Sequence, residues 1–217
     1  MIRATEYTGE RVIMIPSDNT IIKKIVNFLF ETGMLKKTPR TGYQFLGSGK
    51  ESVAEHTFRV ACIGYALSRI TSQPVDEMRL FKMCLFHDLP EARTGDHNYV
   101  NKKYVTIDEE KAIRDLTGPL PFGNEIAELI REFTGRVTFE SKLANDADQL
   151  DFLLQLKEYG DLGNKYTRDW SQAVLKRLET GEAEKLARQI LETDSSAWWF
   201  QDKMDAWWIN GGKERRG

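Results

Sequence analysis

Apolar positions along this chain recur mostly at three- and four-residue intervals, and the alternation expected of strands is scarce. After the N-cap candidates Ser17, Asp18, Asn19 and Thr20, the residues Ile21, Ile22, Ile25, Val26, Phe28 and Leu29 lay out a broad apolar helical face that ends near Gly33. Pro39 to Gly49 reads as a loop. Ser52 then caps a second helix, in which Val53, Val60, Ile63 and Leu67 share a face. A third is expected from Val75 to Leu89, with Met78, Phe81, Cys84 and Leu85 as its stripe, disturbed by Pro90. Residues 93–104 read as a polar loop. Helices are expected over Ile107–Leu116, Asn124–Phe133 and Ser141–Tyr159, the last with Leu143, Ala147, Leu150, Leu153, Leu154 and Lys157 at helical spacing. Two or three more follow Asp169. The clearest strand-like stretch, Arg11 to Ile15 beside Pro16, reads equally as an ordered arm. The layout is all-α: an N-terminal arm (1–20), a helical core (21–160) and a C-terminal helical extension (161–217) packed on it.

Composition narrows the function classes. The 217 residues are 41% hydrophobic and 29% charged, with a net charge of -2. That balance suits a globular protein and gives no basic excess for a nucleic-acid polymer. The charged residues interrupting MIRATEYTGERVIMIPSDN exclude a signal peptide or membrane span there, so a cytoplasmic protein is expected. The two cysteines, Cys62 and Cys84, lie in apolar helical segments without a CxxC partner and are expected to be buried thiols. Trp198, Trp199, Phe200, Trp207 and Trp208 near the C-terminus suggest packing anchors or a dimer surface.

The chemistry rests on few residues. Of the three histidines, His56 lies within a helix, and His87 precedes Asp88 at the end of another. Asp148 sits in the otherwise apolar run ANDADQLDFLLQ, where a carboxylate is costly unless paired or bound to a metal. Together, His56, His87, Asp88 and Asp148 offer two imidazoles and two carboxylates from three helices. That donor set suits one divalent ion of Mn, Co, Ni, Fe or Zn, with Mg less natural. Such an ion activates water near neutral pH and polarises a phosphoryl oxygen. In HDLPEARTGD, Glu91 lies one turn beyond the pair and is a candidate for handling the attacking water. Asp96 is a candidate for a sugar hydroxyl or leaving oxygen. Arg40 suits bidentate phosphate binding, Tyr43 could stack on a base or close over a sugar, and Lys102 could neighbour a phosphate.

These runs, LKKTPRTGYQF, ESVAEH, FHDLPEARTGD and ADQLDFLLQLKEY, resemble the HD superfamily of metal-dependent phosphohydrolases, most closely its 5′-deoxynucleotidase branch. The resemblance spans about two thirds of the chain, Ile21 to Gly160. It implies a helical-bundle fold, metal ligation by His56, His87, Asp88 and Asp148 rather than Asp146, an acidic catalytic pair Glu91 and Asp96, and phosphate binding by Arg40. Tyr43 stands where the branch usually has tryptophan, and Pro90 where a small residue is usual. A small-molecule nucleotide substrate and a homodimer are further implications, with neither a nucleic-acid polymer nor a membrane as partner. Other nucleotides (triphosphates, cyclic nucleotides, alarmones) remain open within the same superfamily. A dinuclear site would want more histidines than His97 alone supplies. The contrasting class is a non-catalytic helical module that binds nucleotide and metal without turnover.

Overall fold

The computed structural model describes residues 19–200, Ile209 and Gly211. The strand-like stretch at Arg11–Ile15 and the residues Trp207 and Trp208 lie outside the described residues. In chain order the helices are α1 (Asn19–Thr32), α2 (Tyr43–Leu46), α3 (Val53–Ile70), α4 (Glu77–Phe86), α5 (Glu91–Thr94), α6 (Glu109–Thr117), α7 (Gly123–Gly135), α8 (Phe139–Asp161), α9 (Thr167–Leu175), α10 (Gly181–Glu192) and α11 (Ala197–Phe200), with 3-10 turns at Gly33–Lys36 and Asn101–Lys103. No strand is present among the described residues; one isolated antiparallel bridge joins Pro39 to Ser52. The fold is all-α, as the periodicity indicates. No helix among the described residues is long and apolar enough to cross a membrane.

Local chemistry explains the boundaries near the site. Ser52 and Glu55 close a reciprocal capping box on α3, satisfying two backbone N–H groups at its start. Helix α4 is shorter than Val75–Leu89. Asp76 caps it by accepting from Arg79 N, and it ends at Phe86 because Pro90 cannot donate to the Phe86 carbonyl and its ring would clash with it. The expected loops at 39–49 and 93–104 hold single turns instead, α2, α5 and the 3-10 turn Asn101–Lys103.

The central layer is α3 and α4 packed on α8. Val60, Ile63 and Leu67 meet Leu80, Met83 and Cys84, and Leu143, Ala147, Leu150 and Leu153, with Val174 of α9 and Ala183 and Ala187 of α10 closing the far side. At Gly64 the α3–α4 approach is so close that a Cβ would fall 2.6 Å from Cys84 Sγ. A second cluster joins Leu35, Val53, Leu89, Ile113, Leu116, Ile126 and Ile130. Two expectations are corrected. The buried face of α4 is Leu80, Met83 and Cys84, while Met78, Phe81 and Leu85 face solvent. Likewise α1 buries no residue fully: Ile25 and Phe28 are half-buried against the second cluster, and Ile22, Val26 and Leu29 are exposed. Cys84 is buried as expected, but Cys62 is exposed, on the outer side of α3. Trp198 and Trp199 are exposed on α11 rather than anchored in the core.

Candidate metal centre

The two clusters meet at a seam, and the chemistry lies in it. On α3, His56 falls between Val53 of the second cluster and Val60 of the first; after α4, His87 falls between Cys84 and Leu89. His87 closes α4, its N–H still donating to the Met83 carbonyl, and Asp88 follows it in the turn before Pro90. Asp88 Oδ2 lies 3.3 Å from His87 Nε2 and 3.5 Å from His56 Nε2. Asp148 of α8 brings Oδ1 to 3.2 Å from His56 Nε2. His56, His87 and Asp148 can each offer one donor atom within 4.8 Å of the others.

Both imidazoles are oriented from behind. His56 is fully buried, and its Nδ1 donates to Asp151 Oδ2 at 2.6 Å. His87 Nδ1 donates to the Cys84 carbonyl at 3.0 Å. In that arrangement each ring aims the lone pair of Nε2 into the seam. His56 Nε2, His87 Nε2, Asp88 Oδ2 and Glu91 Oε2 are all buried without a hydrogen-bond partner. Buried polar atoms are normally satisfied; three of these orphans, His56 Nε2, His87 Nε2 and Asp88 Oδ2, lie together and, with Asp148 Oδ1 beside His56 Nε2, fit a divalent cation held by nitrogen and oxygen donors. Neighbouring charge agrees. Burial and Arg40 oppose a proton on His56, yet Asp148 and Asp151 outweigh them and lift the ring to about 9. The field that favours a proton on Nε2 favours a cation in its stead. Burial works against the charge on Asp148, but His56, His87 and Arg40 hold it down to about 2. Asp88 is likewise held below the usual carboxylate range against burial, chiefly by His87.

Around this set stand the other sequence candidates. Arg40 Nη1 is 3.6 Å from Asp88 Oδ2. Although burial disfavours its charge, Asp88, Asp148, Asp96 and Glu91 raise its affinity for the proton. Its loop is pinned to α3, since Arg40 N donates to the Glu51 carbonyl at 2.8 Å and Val53 N to Thr38 at 3.0 Å. Asp96 clasps the same loop: its Oδ2 accepts from Thr41 N at 2.6 Å, and its carbonyl from Thr41 Oγ1 at 3.0 Å. Glu91 is pushed up to about 9, first by burial and then by repulsion from Asp88 and Asp96. Tyr43 turns edge-on to Tyr159, with 5.7 Å between ring centroids. Lys102 is exposed on the 3-10 turn, and no ion pair or side-chain hydrogen bond joins it to this cluster among the described residues.

Sequence reasoning missed the layer behind the histidine. Asp151 is fully buried; besides His56, it accepts from Arg59 Nε at 2.5 Å and Gln155 Nε2 at 3.0 Å. Arg59 reaches on to Glu158 at 2.7 Å, and Gln155 also donates to Glu51. A signal was available: His56 and Arg59 on α3, and Asp148 and Asp151 on α8, are both spaced i, i+3, which puts each pair on one helix face. Asp146 has another occupation. It is buried on a different side of α8 and accepts from Glu179 N, Thr180 N and Thr180 Oγ1 at 2.8, 2.9 and 2.6 Å, fixing the turn into α10.

A helical bundle with a histidine and carboxylate cluster in its central seam defines a class, and the chain belongs to it: the HD domain family model matches residues 32–190. Among its relatives is the 5′-deoxynucleotidase HDDC2 of Bos taurus, 32% identical over 149 residues that cover 66% of this chain and 71% of the relative. The 5′-deoxynucleotidase HDDC2 of Mus musculus is 30% identical over 182 residues, covering 80% and 89%. Of solved structures, one described as a "Predicted metal-dependent phosphohydrolase" from Magnetospirillum magnetotacticum MS-1 superposes with a TM-score of 0.65 at 26% identity, covering 82% of this chain and 95% of that one.

Proposed function

We propose that this chain is a metal-dependent 5′-nucleotidase that releases phosphate from (deoxy)nucleoside monophosphates, with the ion held by His56, His87, Asp88 and Asp148. The observation that carries the reading is the group of three buried, unpartnered donor atoms, His56 Nε2, His87 Nε2 and Asp88 Oδ2, gathered with Asp148 beside the Arg40 guanidinium. The relatives named 5′-deoxynucleotidase support the substrate class. A non-catalytic module would have no need of the buried Glu91 carboxyl at the same place.

A divalent ion bound there lowers the pKa of water and polarises a phosphoryl oxygen; Mn, Co, Ni, Fe and Zn suit the donors better than Mg. Arg40 binds the phosphate and, on a loop held by Arg40 N bonding to Glu51 and Thr41 N to Asp96, orients it for in-line attack. Glu91 exchanges the proton of the attacking water. Burial first, and then repulsion from Asp88 and Asp96, makes it hold that proton firmly, and a cation at Asp88 would offset part of that repulsion. Asp96 keeps one oxygen on the Arg40 loop and serves the sugar or leaving oxygen with the other. Tyr43 closes over the sugar, and Lys102 contributes only an exposed positive charge near the Asp96 loop.

The proposal includes a homodimer. Tyr65 on α3 and Met78 and Phe81 on α4 are exposed and line one surface hollow, with Phe58 and Leu85 exposed on the same two helices, apolar surface that pairing would remove from water. Metal-stripped protein reloaded with each of Mn, Co, Ni, Zn and Mg should release phosphate from a panel of nucleoside monophosphates. Fully loaded protein that binds nucleotide and never turns it over would establish the binding module instead.

A further inference from the structure

Four aromatic rings gather beside the cluster with no part in the assignments above. Phe152 stands on α8 one helical turn, about 5.4 Å, beyond Asp148 and on the same face. Trp170 of α9 packs on Phe152 with ring centroids 5.7 Å apart. Phe45 of α2 lies 6.1 Å from Trp170 and 5.3 Å from Tyr99, and Tyr99 lies 6.2 Å from Trp170. Phe152 and Trp170 are half-buried and rooted on the core, whereas Phe45 and Tyr99 are 37% and 55% exposed.

The two exposed rings come from the two segments that build the phosphate end of the site. Phe45 follows Thr41 by one turn, Tyr99 follows Asp96 by three residues, and the 2.6 Å bond from Thr41 N to Asp96 Oδ2 clasps these segments together. Tyr99 is held on a fixed turn, because buried Asn98 accepts through Oδ1 from Val100 N and Asn101 N, both at 3.0 Å. Lys103 Nζ stands 5.8 Å from the Tyr99 ring centroid and adds positive charge at the rim. Such rings present π faces to a planar aromatic ligand and read its face rather than its edge.

We propose that Phe45 and Tyr99, seated on Trp170 and Phe152, form a stacking platform for the nucleobase while the phosphate lies at Arg40. The proposal rests on the nucleotidase reading and adds where the base goes and how it is read: by stacking, with tolerance for which base is present and a preference for the larger purine surface.

The test uses the full-length, metal-loaded protein with deoxyadenosine 5′-monophosphate, 2-deoxyribose 5-phosphate, which has no base, and deoxyadenosine, which cannot turn over. Tyr99→Leu and Phe45→Leu are each expected to raise the KM for the nucleotide and the calorimetric Kd for deoxyadenosine about tenfold. The KM for deoxyribose 5-phosphate and the melting temperature should not move, and Tyr99→Phe should behave as the parent. Equal rises in both KM values, or an unmoved Kd for deoxyadenosine, overturn the platform. If the unmodified protein hydrolyses neither phosphate ester, the nucleotidase reading fails, and the deoxyadenosine affinities of the variants still decide the platform.

Discussion

Asp151 is fully buried, and its two oxygens are divided among His56, Gln155 and Arg59. Three donors converge on it, which only a carboxylate can satisfy without conflict. An asparagine in its place would have one acceptor oxygen and would turn an N–H toward at least one donor. Asp151→Asn should therefore weaken divalent-metal affinity by about 10- to 100-fold while leaving every proposed ligand in place. Calorimetric titration of the metal-stripped variant measures this, and an unchanged affinity would show that Asp151 does not orient His56. At this scale the sequence was informative where chemistry is local. Asp148 stood out as a carboxylate in an apolar helix, His87-Asp88 and the ESVAEH run gained weight from their combination and from the family resemblance, and the structure brings His56, His87, Asp88 and Asp148 together. Asp151 went unread although its i, i+3 spacing from Asp148 marks the same face, because the partner that gives it meaning, His56, lies 95 residues away in the chain. The exposure of Cys62 was hidden similarly: a small apolar residue in an apolar helix carries no mark of which way it faces.

Helix α8 carries two aspartates two residues apart, and helix geometry turns them about 200° from each other. Asp148 joins the seam, while Asp146 caps the turn before α10 through three hydrogen bonds. Asp146→Ala strands buried donors at Glu179 and Thr180, and should lower stability by about 2–4 kcal/mol. Its metal affinity should stay that of the parent, so urea unfolding beside metal titration separates the two aspartates. A parent-like unfolding midpoint would contradict the structural role of Asp146. The face of α4 was misread for a related reason. Met78, Phe81 and Leu85 recur at helical intervals as regularly as Leu80, Met83 and Cys84 do, so periodicity offers two apolar faces. Packing on α8 chooses one, and Gly64 on α3 makes room for Cys84 in that choice. The end of α4 was blurred because the effect of Pro90 reaches back to Phe86, beyond its own neighbour.

Across the whole molecule, Met78 and Phe81 on the face that α4 leaves outside share a surface hollow with the exposed Tyr65 of α3. If that surface pairs two copies, Phe81→Glu places a charge in the interface and should shift sedimentation from dimer to monomer, while metal affinity is retained. An unmodified chain that sediments as a monomer at all concentrations would contradict the homodimer. The all-α class was legible from periodicity alone, whereas the placement of the site at a seam between two hydrophobic clusters was not, because the clusters exist only once the helices pack. The central claim is that one seam-bound divalent ion drives phosphate release. Metal content and deoxynucleotide hydrolysis should be measured together on parent and Asp88→Ala proteins stripped with chelator and reloaded with manganese. The account predicts one tightly held ion per parent chain with phosphate release, and loss of both in the variant. Tight binding retained by Asp88→Ala, or hydrolysis by the parent that survives complete removal of metal, would contradict it.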